Sequence, residues 1–254
     1  MRVITKAGLQ GFWETYPQAG TPLEDWYRVA DKARWKSLED VRRTYPAADL
    51  AKVKSGGTVT IFNIGGNKYR LVAAIHCNSQ RVYVLHVMTR EEYSRNAWKE
   101  RFQLIKGYPM STVNQSPAGH PCCRVDSVNE KDPLVVWPLK SEDDYQRALE
   151  VVDRLAVKGE EKLTDGERDQ LDIFTTLIEA YENVHHAIVL PELPTVEFLK
   201  KLMSESGMGA SDLGRLLGDR SLGYRILSGE RSLSKRHVKI LSEHFRMDPS
   251  TFLS

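Results

Sequence analysis

The chain has little cysteine: three residues, Cys77, Cys122 and Cys123, among 254. So sparse and odd a set excludes a disulfide scaffold and suits a reducing cytoplasm. No apolar run approaches the roughly 20 residues a membrane-spanning helix needs. The opening MRVITKAGLQ has no apolar stretch of the kind a secretion signal carries. A cytoplasmic protein without membrane contact is expected. Paired metal-ligand spacings are also missing. HPCC, from His120 to Cys123, has no matching pair elsewhere, so no metal is expected. Neither a phosphate loop, a nucleophile elbow nor a dinucleotide fingerprint occurs, and no cofactor is implied. Internal repeats and low-complexity tracts are absent.

What is present suffices for two ordinary domains, with 41% hydrophobic residues to fill their cores. The net charge of +2 conceals three blocks. Residues 1–109 hold 18 Lys/Arg against 10 Asp/Glu, residues 110–200 hold 9 against 18, and residues 201–254 hold 9 against 6. A basic head and a basic tail suit nucleic acid, and an acidic middle suits pairing with the head.

Periodicity divides the chain at similar places. Residues 2–5 read as a strand, and Leu9, Phe12, Trp13 and Tyr16 fall at helical spacing until Pro17. Thr21 with Pro22 predicts the start of a second helix, and Ser37 with Asp40 that of a third. TVTIFNIGG, NKYRLVAAIHC and RVYVLHVMT alternate with period two, and their short connections predict antiparallel neighbours. REEYSRNAWKERF reads as one closing helix. Residues 107–134, rich in proline and without sustained periodicity, read as a linker. Helices follow: one capped by Ser141 with Asp144 and ended by Gly159, one starting near Thr164, and four short ones over 195–206, 209–217, 220–228 and 234–245.

The tail pattern is two short helices about Gly218-Asp219. The second helix exposes Arg220, Ser221, Tyr224 and Arg225 for a major groove, with Ser211 on the first helix. Arg231, Lys235 and Arg236 suit flanking phosphates. GASDLGRLLGDRSLGYRILSGERSLSKRHVKILSEHFRMDPSTF resembles the Cro/repressor-type helix-turn-helix, and more specifically the HigA class of antitoxins. EDDYQRALEVVDRLAVKGEEKLTDGERDQLDIFTTLIEAYENVHHAI resembles the helical hairpin that precedes this module there.

FNIGGNKYRL, at residues 62–71, interrupts a strand pattern with two glycines, two amides and two cations. With MRVITKAGLQGFWETYP, RWKSLEDVRRTYP and VMTREEYSR it resembles the HigB-type toxins of the RelE/ParE superfamily, messenger-RNA endonucleases that usually act on the ribosome. The resemblance covers nearly all of residues 1–102. Metal-free RNA cleavage needs a base for the 2′-hydroxyl, an acid for the leaving 5′ oxygen and cations for the phosphorane. Lys68 and Arg70, two apart, are expected on one strand face toward one phosphate. Gly65 and Gly66 allow close backbone approach, and Asn63 and Asn67 offer amide contacts to RNA. Tyr69 is expected to face the core. In such toxins a histidine often stands in a TH-x-EY pattern, and here Arg90 takes its place in Thr89-Arg90-Glu91-Glu92-Tyr93. An arginine is a good clamp and a poor base. His86, taken in strand register with Arg90, is the substitute candidate, and Lys36 is a further cation.

The expected fold is α+β: a RelE-like domain of helices on a small antiparallel sheet, then an all-α antitoxin. The expected divisions are 1–106 toxin, 107–134 linker, 135–190 acidic hairpin and 191–254 helix-turn-helix. Met110 stands where an antitoxin would begin, and the sequence leaves open a natural fusion or two joined reading frames. The expected partners are messenger RNA and the ribosome, operator DNA, a second copy in a homodimer, and the toxin–antitoxin contact itself, within one chain or across two. Two other classes stay open: a DNA-binding regulator with an inactive toxin-like head, and a chaperone- or phage-protein-controlled module that uses LVVWPL at 134–139.

Overall fold

Strand β1 (Arg2–Ile4) leads into α1 (Ala7–Thr15), and a 3-10 turn at Pro17–Ala19 into α2 (Gly20–Lys32). Helix α3 (Leu38–Thr44) is capped by Ser37, whose hydroxyl accepts the Asp40 N–H. Strands β2 (Asp49–Lys52), β3 (Thr58–Ile64), β4 (Tyr69–His76) and β5 (Arg81–Thr89) follow, then α4 (Arg90–Ser94) and α5 (Trp98–Arg101). The pair β6 (Cys123–Val125) and β7 (Leu134–Val136) precedes α6 (Glu142–Lys158), α7 (Asp165–His185), α8 (Thr195–Ser206), α9 (Ala210–Leu217), α10 (Arg220–Leu227) and α11 (Lys235–Phe245). This computed structural model describes residues 1–101, 123–125 and 134–253. No helix among them is long and apolar enough to cross a membrane.

The large sheet runs β1-β5-β4-β3-β2. Four strands are antiparallel as the short connections demand, but β1 joins β5 in parallel, with Arg2 opposite Arg81. The expectation of an antiparallel sheet fails at this edge because α1 to α3 carry the chain away before β5 returns.

The two sheet faces have different coverings. Phe62, Ile64, Leu71, Ala73 and Val84 share a core with Leu23, Trp26 and Val29 of α2, and that core continues into Leu199, Leu213, Leu241 and Phe245. Ile61, Val72, Ala74, Tyr83 and Leu85 on the other face pack with Tyr145, Val152, Leu155, Phe174 and Ile178 of α6 and α7. The expected head has helices on one face only, and the hairpin completes the other. Six hairpin side chains here (Tyr145, Ala148, Val152, Leu155, Phe174, Ile178) are at most 1% exposed. Their burial contributes on the order of 10 kcal/mol, an upper bound. Rim ion pairs such as Arg2–Glu179 add roughly 0–1 kcal/mol each. Apolar burial therefore dominates the seam.

Three local expectations are corrected. Helix α2 starts at Gly20, so Thr21 does not cap it and Pro22 lies inside its first turn. The position is tolerated because the first N–H groups of a helix lack intrahelical partners. The single closing helix is split in two by Asn96, at φ 57°. Two strands, β6 and β7, occur within or at the edge of the expected linker, whose other residues lie outside the described ones, as do His120 and Cys122. Trp137 of LVVWPL packs on Phe174 with ring centroids 4.6 Å apart, and its ring N–H donates to the Asp144 carbonyl.

Candidate functional site

Why FNIGGNKYRL breaks its alternation is visible in the backbone. Gly65, Gly66 and Asn67 have φ of 61°, 63° and 75°, three successive left-handed residues between β3 and β4. Glycine adopts this conformation freely, and asparagine more readily than most residues. At Gly65 a Cβ would also meet the Tyr69 ring at 3.3 Å and Pro22 at 3.4 Å. The turn exposes Gly66, Asn67 and Lys68.

Lys68 thus belongs to the turn, and it does not share a strand face with Arg70. Tyr69 turns into the first core against Phe12, as expected. Arg70 is opposite Asn63 on β3 and Met88 on β5, so all three share the second face. Only 8% exposed, Arg70 donates to the carbonyls of Asn67 (3.2 Å) and Tyr69 (3.0 Å). Its guanidinium carbon lies 5.4 Å from the Tyr93 ring centroid. Burial lowers its pKa, and the nearby Arg90 charge lowers it further, against Tyr93.

Arg90 opens α4 and is exposed. Its backbone N–H donates to the Lys68 carbonyl at 2.9 Å, which ties the helix start to the turn. His86 is on β5 and Arg90 is not, so the expected strand register between them is absent. A bulge supplies a different relationship. His86 pairs with Val72 and Val84 with Ala73, leaving Leu85 extra. The extra residue re-aims the strand, and His86 falls on the Arg70 face, diagonal to Arg70 at roughly 7 Å between backbones. Hydrogen bonds from the Thr89 N–H and hydroxyl hold the Glu92 carboxylate in a capping box and lower its pKa against burial, with His86 close enough to add to the effect.

The structure therefore gathers Asn63, Asn67, Lys68, Arg70, His86 and Arg90 at one end of the sheet. Lys36 is elsewhere. It follows Trp35, whose carbonyl accepts from Gln80 in the β4–β5 turn. That end of β4 is roughly 20 Å from Lys68 at about 3.3 Å per residue. Tyr93 is the member that sequence reading passed over, although it closes the TREEY pattern.

In the tail, Arg220, Ser221, Tyr224, Arg225, Arg231, Lys235 and Arg236 are exposed and Ser211 is half-buried. The Ser211 and Tyr224 hydroxyls are 3.4 Å apart. Helices α9 and α10 meet backbone to backbone: a Cβ on Gly223 would sit 1.9 Å from the Ala210 carbonyl oxygen, and one on Gly214 2.4 Å from that of Arg220. No cluster of three or more metal-ligand side chains occurs among the described residues.

Chemically, the sheet-end cluster offers three cations, two amides and an imidazole around an open turn. Such a set has the chemistry to hold a phosphodiester and to supply charge where a phosphorane would develop.

Residues 19–96 match the family model of the RelE-like toxic component of a toxin-antitoxin system, HigB_toxin. The mRNA interferase toxin HigB of Escherichia coli K12 is 36% identical over 93 residues, covering 37% of this chain and 88% of that protein. The antitoxin HigA of the same strain is 31% identical over 121 residues, covering 45% of this chain and 83% of HigA. An mRNA interferase HigB of Escherichia coli O6:H1 is 28% identical over 95 residues, covering 37% and 90%. With most of a toxin and most of an antitoxin matched along a single polypeptide, the chain belongs to the HigB–HigA toxin–antitoxin family.

Proposed function

We propose that this chain is a self-restrained ribonuclease: residues 1–106 are a metal-independent messenger-RNA endoribonuclease that works on the ribosome, and the remainder neutralises it and represses its own operator. The observation that carries this reading is the meeting of Arg70, Arg90 and Lys68 at one turn, with His86 brought to the same face by the β5 bulge. Lys68 and Arg90 bind the phosphate, Arg70 stabilises the phosphorane, and His86 moves the proton that Arg90 cannot. Asn63, Gly65, Gly66 and Asn67 contact the RNA.

Residues 135–190 act as the neutralising hairpin, with residues 107–134 as the tether, and residues 191–254 as a helix-turn-helix domain. Arg220, Ser221, Tyr224 and Arg225 enter the major groove, with Ser211 beside them, and Arg231, Lys235 and Arg236 hold phosphates. Paired half-sites imply a homodimer on DNA.

The test is growth on induction of residues 1–106, beside the full chain and a Lys68→Ala/Arg70→Ala fragment. The HigB relatives are themselves separate proteins, nearly nine-tenths of whose length is matched here, so the fragment is a reasonable unit. Arrest and messenger cleavage by the intact fragment alone support the reading. A folded but harmless fragment favours the second reading, a DNA-binding regulator with a retired toxin head, for which Arg90 in the TREEY pattern is the motivating observation.

A further inference from the structure

The end of the sheet farthest from the Lys68 turn carries a second row of anion-seeking groups. The β4–β5 turn directs the N–H groups of Asn78 and Ser79 and the Ser79 hydroxyl at one Glu160 carboxylate, at 3.0, 2.9 and 2.7 Å. Converging N–H groups of this kind form an anion nest. Beside it, Arg81 on β5 pairs with Asp172, and its cross-strand neighbour Arg2 on β1 pairs with Glu179. Asp172 and Glu179 stand two turns apart on α7, roughly 10 Å.

The donors all belong to the toxin part and the carboxylates all to the antitoxin part. Each ion pair has one partner in solvent, Arg2 at 60% and Asp172 at 52% exposure, and one more buried, Glu179 at 20% and Arg81 at 14%; such half-screened pairs add modest stability, and apolar burial already holds the seam. Each carboxylate occupies a place where a phosphate oxygen would be bound equally well. We infer that the Asn78–Ser79 nest, Arg81 and Arg2 form a second, non-catalytic binding surface for the RNA backbone, which Glu160, Asp172 and Glu179 cover in the manner of phosphates. The surface lies roughly 20 Å from the Lys68 turn, at about 3.3 Å per residue along β4. It extends the grip of the toxin on RNA beyond the reacting phosphate. The antitoxin thus competes with RNA for this surface.

The proposal rests on the toxin part acting on RNA, but it is tested without cleavage. In the full chain, Glu160→Gln, Asp172→Asn and Glu179→Gln are combined, and binding of a labelled single-stranded 2′-O-methyl RNA, which cannot be cut, is followed by anisotropy. The Arg2 side chain is already 60% exposed and the Asp172 side chain that meets Arg81 is 52% exposed, so an oligonucleotide can reach the rim of this surface while the hairpin stays in place. Affinity rises about tenfold at about 50 mM salt, and the gain over the parent is essentially lost by about 200 mM, as the salt dependence of three phosphate contacts requires. Adding Arg2→Ala and Arg81→Ala returns binding to that of the parent. A charge-matched control, Asp143→Asn, Glu150→Gln and Asp165→Asn, shifts it by less than about twofold. No gain, an equal gain in the control, or a gain that survives loss of both arginines overturns the proposal. Should the circular dichroism of the triple variant depart from that of the parent, Glu160→Gln alone decides. About threefold tightening then supports the surface, and unchanged binding overturns it. Co-sedimentation with purified ribosomes separates the two RNA sources: a gain there beyond that for the oligonucleotide assigns the surface to ribosomal RNA, and an equal gain to the messenger.

Discussion

The Glu182 carboxylate of α7 accepts a hydrogen bond from the Ala7 backbone N–H, 3.1 Å away, at the first residue of α1. An acid of α7 therefore serves the start of α1, some 175 residues away in sequence, where backbone donors lack partners and negative charge is favoured. Glu182 is fully buried and also accepts from the Tyr145 hydroxyl at 2.8 Å. Burial raises its pKa, against the Ala7 and Tyr145 hydrogen bonds. Glu182→Ala leaves the buried Tyr145 hydroxyl and the half-buried Ala7 N–H unpaired and lowers stability by about 2–3 kcal/mol in urea unfolding. Glu182→Gln keeps the acceptor and loses less. The opposite order of the two variants would sink this account.

A second carboxylate makes the contact between the two parts pH-dependent. Lys201 on α8 pairs with Asp25 on α2 at 2.7 Å. Burial, then the Asp25 charge, pushes the nearby Glu205 up to about 7 from the ordinary 4.5, against the lowering effect of Lys201. A folded pKa above the unfolded one means that the native state holds the proton more tightly. The contribution is complete below about pH 4.5 and is lost as pH rises through about 7. Glu205→Gln flattens that slope and stabilises the chain at about pH 8 by about 1 kcal/mol, after allowance for solvent screening. Urea midpoints across this range check it. A Gln variant with the parent's slope would assign the titration elsewhere.

Which features were legible depended on how far apart in sequence their causes lie. Ser37, Ser141 and Thr164 cap helices through bonds three residues away, and those starts were readable. Thr21 and Pro22 misled because the 3-10 turn at Pro17–Ala19 extends the helix backward, a gain no local signal announced. Spacing alone puts Lys68 and Arg70 on one face, but three left-handed residues in succession take Lys68 out of the strand. The two glycines and Asn67 signalled the turn without fixing where it ended. The separation of Lys36 from the Lys68 turn has a different cause: only the pairing of strands decides which end of the sheet a loop joins. The charge blocks announced that middle and head attract. That Arg81 meets Asp172, and Arg2 meets Glu179, is tertiary information. Nothing in RVYVLHVMT announces the bulge that turns His86.

Gly223 tests the close approach of α9 and α10. A methyl group there meets the Ala210 carbonyl oxygen at 1.9 Å, and backbone cannot yield as a flexible side chain does. Gly223→Ala is expected to cost about 3 kcal/mol and, if α10 reads an operator as proposed, to abolish that binding together with the melting shift. Gly66→Ala makes a useful comparison: its Cβ meets nothing within 4 Å, and the positive φ supplies the only strain, of order 1–2 kcal/mol. Equal melting temperatures for Gly223→Ala and the parent would mean that the helices part easily.

On the face proposed to meet DNA, Arg225 and Arg231 are exposed near and beyond the end of α10. If Arg231 holds a phosphate, Arg231→Ala weakens binding to all sequences alike and reduces the salt slope by about one. If Arg225 reads a base edge, Arg225→Ala costs about 1–3 kcal/mol on the operator and little on random DNA. Fluorescence titrations of operator and scrambled duplexes at several salt concentrations separate the two roles. Identical losses on both duplexes for both variants would remove Arg225 from base readout.

Ala148 offers a way to lift the α6–α7 hairpin without changing any residue of the large sheet or of α1 to α5. It is fully buried on α6, in the core that Val72, Ala74 and Tyr83 share with Val152 and Leu155. An ionised carboxylate placed there has no partner, and the cost is several kcal/mol, a large fraction of what the apolar seam supplies. Ala148→Glu in the full chain is therefore expected to detach α6 and α7 while the first core, on the opposite sheet face, survives. If the hairpin is the restraint, cells expressing this variant stop growing, and Arg70→Ala in the same chain restores them. Arrest that persists with Arg70→Ala would trace toxicity to misfolding. A soluble variant with raised protease sensitivity across α6 and no effect on growth would mean that the exposed head does not cut RNA, whatever the cluster around Arg70 resembles.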